Sequence, residues 1–134
     1  MNGVIAVRTL LVTDTGMTAL VPPARIAAGM LPQGTDLPAI SLMSVSSADR
    51  NILAPSLKRR VTERVQVTVL AATYRQVKAI LAAVRKAAVD QMPTIDGLFD
   101  VTVHTDTAGP DFLDGETGVH MQSQDLRVSF NEAR

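Results

Sequence analysis

One segment constrains the fold of this chain more than any other: a β-strand pattern runs almost directly into an amphipathic helix pattern. In residues 61–71, apolar side chains alternate with polar ones, the period of a strand with one packed face. From Tyr74 to about Val89, apolar residues recur at the i, i+3, i+4 and i+7 positions of a helix. Thr73 stands three residues before Gln76, the spacing of a capping box, so we expect the helix to begin right after Thr73. The apolar faces comprise Val61, Val65, Val67, Val69 and Ala71 in the strand, and Val77, Ile80, Leu81, Val84 and Ala88 in the helix.

The residues before this unit predict a helix, a buried strand and two irregular connections. Helical spacing in residues 4–11 predicts a short first helix ending near residues 14–16, with room for another turn over residues 17–21. Pro22-Pro23 then forbids regular helix, and residues 28–38 contain the LPQGTDLP stretch, which must be irregular. Residues 39–45 are apolar enough for a largely buried strand. Residues 46–60 are polar, and we interpret them as a long hairpin connection.

Two alternating segments close the chain. In the first, Phe99, Val101 and Val103 share one face, and in the second Leu126, Val128 and Phe130 do. An acidic loop rich in Gly and Pro, residues 105–118, lies between them. The strand pairs are joined without helices, which favours antiparallel pairing. The sequence therefore predicts an α+β fold in one domain, residues 1–134: a roughly four-stranded, mainly antiparallel sheet with two helices packed on one face.

The charge of the chain is zero overall but strongly uneven. Residues 1–89 hold 11 basic and 4 acidic residues, a net charge of +7, and residues 90–134 hold 2 basic and 9 acidic residues, a net charge of −7. Such asymmetry is typical of a nucleic-acid partner or of charged self-assembly. The alternative is that the two halves fold together and neutralise each other. The densest basic group is Lys58, Arg59 and Arg60 with Arg64, and it lacks the aromatic neighbours of a nucleic-acid site.

The sequence contains little that is typical of a catalytic or metal-binding site. The chain has no cysteine, no G-x-S-x-G and no phosphate-binding loop of the G-x-x-x-x-G-K-[ST] type. His104 and His120 flank the acidic loop. A His/Asp metal or acid–base site that includes Asp106 is one interpretation of this pattern. The favoured interpretation is that both are exposed histidines at strand ends. The acidic residues of the loop do not follow the spacing of a calcium loop. We expect no enzyme, no catalytic residue, no metal and no cofactor.

The order of the segments in residues 3–90 resembles the small phage tail-completion proteins, also called tail terminators. The short first helix leads into TALVPPARI, then LPQGTDLPAISL, then RVTERVQVTVLAATYRQVKAILAAVRKAA. In that family a Leu-Val and an Arg-Ile precede a P-Q-x-T-x-x-P loop and a strand, and a later strand runs into a helix opened by a Thr-Tyr pair. The matching positions are Leu20, Val21, Arg25, Ile26, Pro32, Gln33, Thr35, Pro38, the strand 65–71, Thr73 and Tyr74.

The resemblance implies an α/β protein that forms a homo-oligomeric ring, a hexamer, at the head-proximal end of the tail. Such a ring stops growth of the tail tube, contacts the tail-tube protein and docks the head connector protein, with DNA only passing through its lumen. Its location would be the virion tail, after assembly in the host cytoplasm. No apolar run approaches the ~20 residues of a membrane span, and Arg8 interrupts the apolar start, so we expect a soluble protein with no membrane partner.

A ring needs two different patches that meet between copies. We expect the basic and acidic segments to serve as these patches, or one of them to face the tube or the connector; electrostatic complementarity would then set register. The candidate interface residues are Lys58, Arg59, Arg60, Arg64, Asp106, Asp111, Asp114 and Glu116. The alternatives are a head–tail joining protein or, from another class, a small oligomeric binding module or enzyme subunit.

Overall fold

A twisted sheet with helices on one face makes up the described part of the chain, which is residues 2–32, 34–50 and 57–133 of this computed structural model. The helices in these residues are α1 (Asn2–Thr13), α2 (Thr15–Thr18) and α3 (Tyr74–Ala88), with a 3₁₀ turn at Pro23–Arg25. The strands are β1 (Ile26–Ala28), β2 (Ala39–Arg50), β3 (Lys58–Ala71), β4 (Leu98–Ala108), β5 (Phe112–Leu113) and β6 (His120–Ala133). Gln33, one of the residues that carry the family resemblance, lies outside the described residues.

The strand order across the sheet is β1-β2-β3-β6-β4, and β5 also pairs with β6. All pairs of named strands are antiparallel except β1–β2, which is parallel. Because β3 occupies one edge of β6 along its whole length, β5 lies on the other edge, beside β4. The α+β class and the mainly antiparallel sheet are confirmed for the described residues, whereas the four strands and two helices are an undercount. The added strands β1 and β5 have three and two residues, too short to show a period.

The prediction of a hairpin connection over residues 46–60 is wrong at both ends. Strand β2 continues to Arg50 and β3 already begins at Lys58, and the two remain paired from Ala39↔Leu70 to Arg50↔Arg60. The register shifts once, between Ser44 and Ser46. This extension of β2 is exposed and polar, so backbone pairing rather than a buried face forms it, and alternation cannot reveal it. Residues 51–56, which the same prediction covered, lie outside the described residues.

Strand β4 departs from the expected alternation at its start. Val101 and Val103 are buried, but Phe99 is 41% exposed. The register shifts between Phe99 and Thr102, and Asp100 between them has a left-handed backbone with φ 51°. A bulge inserts one residue into the count, so Phe99 is moved to the other face. The strand also runs to Ala108, which takes residues 105–108 out of the predicted acidic loop.

The core lies between the sheet and the helices α1 and α3. The predicted stripe of α3 is buried, and the side-chain oxygen of Thr73 accepts a hydrogen bond from the Gln76 backbone N–H at 3.2 Å, as the capping pattern predicts. The odd-numbered residues of β3 and the even-numbered residues of β6 face this core. The largest fully buried side chains are those of Phe130, Leu11, Met17, Ile26, Ile40, Leu42, Ile80 and Leu126. We call this side of the sheet the helix-bearing face and the opposite side the open face.

Candidate functional site

The predicted basic group lies on strand β3 itself and not in a loop. Lys58, Arg59 and Arg60 are its first three residues, paired with the last residues of β6, and Arg64 follows four residues later. Because side chains alternate across a strand, Arg59 projects on the helix-bearing side, whereas Lys58, Arg60 and Arg64 project on the open face. The group is therefore divided between two surfaces.

Arg59 bridges the two strands that flank the beginning of β3. Its Nη1 lies 3.6 Å from Asp49 Oδ2 of β2, and its Nε lies 3.4 Å from Glu132 Oε1 of β6. All three side chains are partly exposed, so each ion pair is worth ~1 kcal/mol or less. Arg59 is thus neutralised by neighbouring strands of the same chain.

Lys58 and Arg60 contact the start of β4. The Nζ of Lys58 lies 3.7 Å from the centroid of the Phe99 ring, a cation–π geometry, and Arg60 Nη1 donates a hydrogen bond to the Asp100 carbonyl at 3.0 Å. The bulge at Asp100, which places Phe99 on the open face, is what brings the ring within reach of Lys58. These two basic side chains remain partly exposed at the edge of the open face.

Arg64 forms an ion pair in the middle of the open face. Its Nε donates to Asp125 Oδ2 at 2.8 Å and its Nη2 donates to the same oxygen. Asp125 is buried, with 4% of its surface exposed, whereas the Arg64 side chain remains 43% exposed. The hydrogen bond to Asp125, together with its negative charge, raises the pKa of Arg64 above its ordinary value. Asp125, which no sequence pattern singled out, joins β6 to β3 here.

The acidic candidate Asp106 belongs to the same part of the open face. It lies near the end of β4, and its Oδ2 accepts from Arg127 Nη2 at 3.4 Å. Its charge also acts on Arg64, whose pKa it helps to raise. Arg64 and Asp106 are thus two oppositely charged candidate residues that the fold brings near each other.

The other acidic candidates surround β5 in a turn that is held to helix α3. Asp111 Oδ1 accepts from Lys78 Nζ at 2.6 Å, and its Oδ2 accepts from the Tyr74 hydroxyl at 3.0 Å. The hydrogen bond from Lys78 and then that from Tyr74 hold the pKa of Asp111 below its ordinary value. Lys78 has a raised pKa for the same reason, chiefly its hydrogen bond to Asp111.

Asp114 folds this turn upon itself. Its Oδ1 accepts from the Glu116 backbone N–H at 3.0 Å, and its backbone carbonyl accepts from the Gly118 N–H at 2.8 Å. The hydrogen bond from the Glu116 backbone, followed by that from the Thr117 side chain, lowers the pKa of Asp114. Glu116 itself is exposed. We call residues 111–118 the acidic turn.

The beginning of β3 with Lys58, Arg59 and Arg60, which we call the basic strand end, lies far from the acidic turn of the same chain. Lys58 is paired with Ala133 and Ala71 with His120, next to the strand β5 of the acidic turn. Lys58 and Ala71 are the first and last residues of the 14-residue strand β3, so the two ends are roughly 40 Å apart at about 3.3 Å per residue. Lys58, Arg59 and Arg60 therefore cannot be neutralised by the acidic turn of their own chain; Asp49, Glu132 and neighbours in β4 interact with them instead.

The two histidines lie apart, each beside a different partner. His104 Nδ1 is 2.9 Å from Asp90 Oδ1, and both side chains are more than half exposed. The His120 ring stands edge-on to Tyr74 with 6.4 Å between ring centroids. Within residues 2–32, 34–50 and 57–133, no three His, Asp or Glu side chains cluster in a way that would hold a metal ion. None of the helices in these residues is both long and apolar enough to span a membrane.

Two further features escaped the sequence patterns. Glu63 occupies a core-facing position of β3 and is 2% exposed, under the first turn of α1 next to Gly3. The sequence contains a signal for this position, because Glu63 is a charged residue on the otherwise apolar face between Val61 and Val65. Phe112 and Leu113, at the beginning of the acidic turn, are 58% and 53% exposed. Two adjacent apolar residues in an acidic loop are a visible signal as well.

This chain matches a protein-family model and a solved structure. The model of a family described as "Tail completion protein gp17" matches residues 5–130. A chain of a solved structure titled "Virion of native gene transfer agent (GTA) particle" superposes with a TM-score of 0.73 at 20% sequence identity, covering 96% of this chain and 93% of that chain. At this identity the structural match speaks for the fold alone. No curated protein matches the sequence significantly.

Proposed function

Because this chain belongs to the tail completion protein gp17 family, we propose that it forms an oligomeric ring that completes or terminates the tail tube and offers a docking surface to the head connector. The observation that carries the proposal is the family match over residues 5–130, nearly the whole chain. The chain is a structural protein of a phage tail. The hexameric copy number, the absence of a catalytic role, assembly in the host cytoplasm and the passage of DNA without specific binding are parts of the proposal.

The separation of charge supports assembly through two different patches. The basic strand end (Lys58, Arg59 and Arg60) and the acidic turn lie at opposite ends of β3 and β6, so attraction between them can act only between molecules. Arg64 and Asp106 lie between the two ends, on the open face. We propose that these surfaces meet between copies, or that one of them meets the tail tube or the connector. A head-to-tail contact of this kind closes into a ring when its rotation closes.

The assembly state tests the proposal directly. The purified chain, alone and mixed with the tail-tube protein of the same particle, would be measured by size exclusion with light scattering and by negative-stain electron microscopy. We expect a closed ring, alone or at one end of tubes that no longer lengthen. A stable monomer that does not bind the tubes would overturn the proposal. A ring that binds the connector but never the tube would instead indicate a head–tail joining protein.

Charge variants test the surfaces separately from the fold. Lys58→Glu and Glu116→Lys each place the opposite charge at an exposed position of one patch, and both should weaken assembly, most at low salt because surface charges are screened at high salt. Lys86→Glu, exposed on α3 outside both patches, is the matched control. Normal assembly of both variants at every salt concentration would eliminate the electrostatic role.

A further inference from the structure

An open apolar cleft lies between helix α1 and the β1–β2 margin of the sheet. It has a volume of about 360 Å³. Its lining residues are Val4, Ala28, Gly29, Leu42, Met43 and Ser44. Val4 and Leu42 form its buried floor, and Met43 stands 46% exposed beside it on the open face. The cleft is apolar and accessible from outside, as a site for an apolar side chain must be.

A matching apolar projection lies at the opposite margin of the sheet. Strand β5 is paired to the β4 edge of β6, whereas β1 and β2 lie beyond β3 on the other side. Phe112 pairs with Met121 and shares its open face, and Leu113 pairs with His120 and shares the helix-bearing face. The Asp111 contacts to Lys78 and Tyr74 hold this projection in place, so little ordering entropy is lost when it binds.

Charge supports the same pairing. The projection is flanked by Asp111, Asp114 and Glu116. One helical turn from Val4, Arg8 lies against β1, where its Nε donates to the Ile26 carbonyl at 2.9 Å and its Nη2 to the Pro23 carbonyl at 3.3 Å. Arg8 makes no ion pair with any of the described residues. An acidic group arriving with the projection would supply one.

From this complementarity we propose that the Phe112–Leu113 projection of one copy docks into the α1/β2 cleft of a second copy, and that this contact, repeated head to tail, builds the ring. Leu113 enters the cleft from the helix-bearing side, and Phe112 packs on Met43, since sulfur–aromatic contacts are favourable. The inference rests on the proposed ring. It assigns the acidic turn to the contact between copies and leaves the basic strand end for the tube or connector.

The absence of cysteine from the chain makes cross-linking a clean test. Phe112→Cys and Met43→Cys variants, each exposed, would be mixed under assembly conditions and oxidised with copper phenanthroline in air. A covalent dimer should form in the mixture at least about tenfold more than when Phe112→Cys is mixed with Met92→Cys. Met92 is 72% exposed and belongs to the segment that leads into β4, so a head-to-tail contact keeps it away from Phe112. Both substitutions in one chain should give a ladder that ends at the ring size.

Blocking variants give a second measurement. Ala28 is exposed and lines the cleft, so Ala28→Trp should fill it without disturbing the core, and Phe112→Ala with Leu113→Ala removes the projection. Each should raise the concentration required for assembly at least about tenfold while the melting temperature of the monomer stays unchanged.

The outcomes separate this inference from the proposed function. The docking contact is overturned, and the ring is retained, if the ring forms but its cysteine pairs cross-link no better than the control. The same conclusion follows if neither set of blocking substitutions changes the concentration required for assembly. If the unmodified chain forms no ring under any of the conditions, the proposed function fails, and the docking contact fails with it.

Discussion

At the scale of single residues, the fold depends on a close contact between Gly3 and Glu63. A Cβ added at Gly3 would lie 2.6 Å from Glu63 Oε2, 2.8 Å from its Cδ and 3.1 Å from Val65 Cγ2. Glu63 is buried and has little room to withdraw. Glycine lets the first turn of α1 approach β3, and the positive end of the helix dipole favours a carboxylate there. The contact also bears on the proposed docking cleft, because Val4, the next residue of α1, lines that cleft.

Gly3→Ala is therefore expected to destabilise the protein. Helix propensity alone predicts a gain of up to about 1 kcal/mol for this change, whereas overpacking typically costs about 1–3 kcal/mol. We expect overpacking to dominate because the clash is with a buried side chain. Urea unfolding would measure the free energy of unfolding, with Gly115→Ala as the control, because a Cβ at Gly115 meets nothing within 4 Å. A Gly3→Ala variant more stable than the unmodified chain would contradict this packing.

The Arg64–Asp125 pair predicts an asymmetry between its two deletions. Arg64→Ala leaves a buried carboxylate without its cation, and Asp125 Oδ1 already has no hydrogen-bond partner among the described residues. Asp125→Ala leaves an arginine that can turn to water, since its side chain is 43% exposed. Arg64→Ala should thus lower the melting temperature more than Asp125→Ala does. Thermal unfolding by circular dichroism measures both. Equal effects, or the reverse order, would show that Asp125 is not effectively desolvated.

At the scale of elements, the strand-to-helix unit was predictable and the sheet margins were not. Residues 61–89 fold as their alternation, cap and helical period indicate, because each signal is local and a buried face enforces it. Strands β1 and β5 and the extension of β2 depend on backbone pairing with residues that are distant in sequence. The bulge at Asp100 likewise cannot be read from alternation, since one left-handed residue reverses the faces that precede it.

The attachment of the acidic turn to helix α3 should depend on pH. The folded pKa of Asp111 is lowered, so the unfolded chain binds a proton more readily and stability rises with pH through this range. The contribution is complete above the unfolded pKa of about 4 and is lost as the pH falls through the lower folded value. Asp111→Asn should therefore reduce the loss of melting temperature between pH 6 and pH 3.

Glu116→Gln is the matched control for this pH dependence. It changes a carboxylate of the same turn whose side chain makes no hydrogen bond to another described residue. Its melting temperature should vary with pH as that of the unmodified chain does. If Asp111→Asn and Glu116→Gln have the same pH profile, the Lys78 and Tyr74 contacts do not stabilise the turn.

At the scale of the whole molecule, the sheet separates the two surfaces that we propose to meet in a ring. Its two margins are chemically different: one has the apolar cleft and Arg8, and the other has the Phe112–Leu113 projection and the acidic turn. Along the strands, the basic strand end and the acidic turn are also separated, because the two ends of β3 are roughly 40 Å apart. Different patches at opposite margins favour head-to-tail association over a two-fold dimer.

The sequence by itself determined the class of fold, the central strand–helix unit and the resemblance to tail-completion proteins, which the family match over residues 5–130 confirms. These follow from local periods and from the order of segments, which need no knowledge of distant contacts. The tertiary structure alone decided where the candidate charges stand: it divided the basic group between two faces, gave Arg64 a buried partner and moved Phe99 outward. It also placed the cleft and the projection at opposite margins. Strand register and the direction of each side chain result from pairing across the whole chain, and no local pattern encodes them.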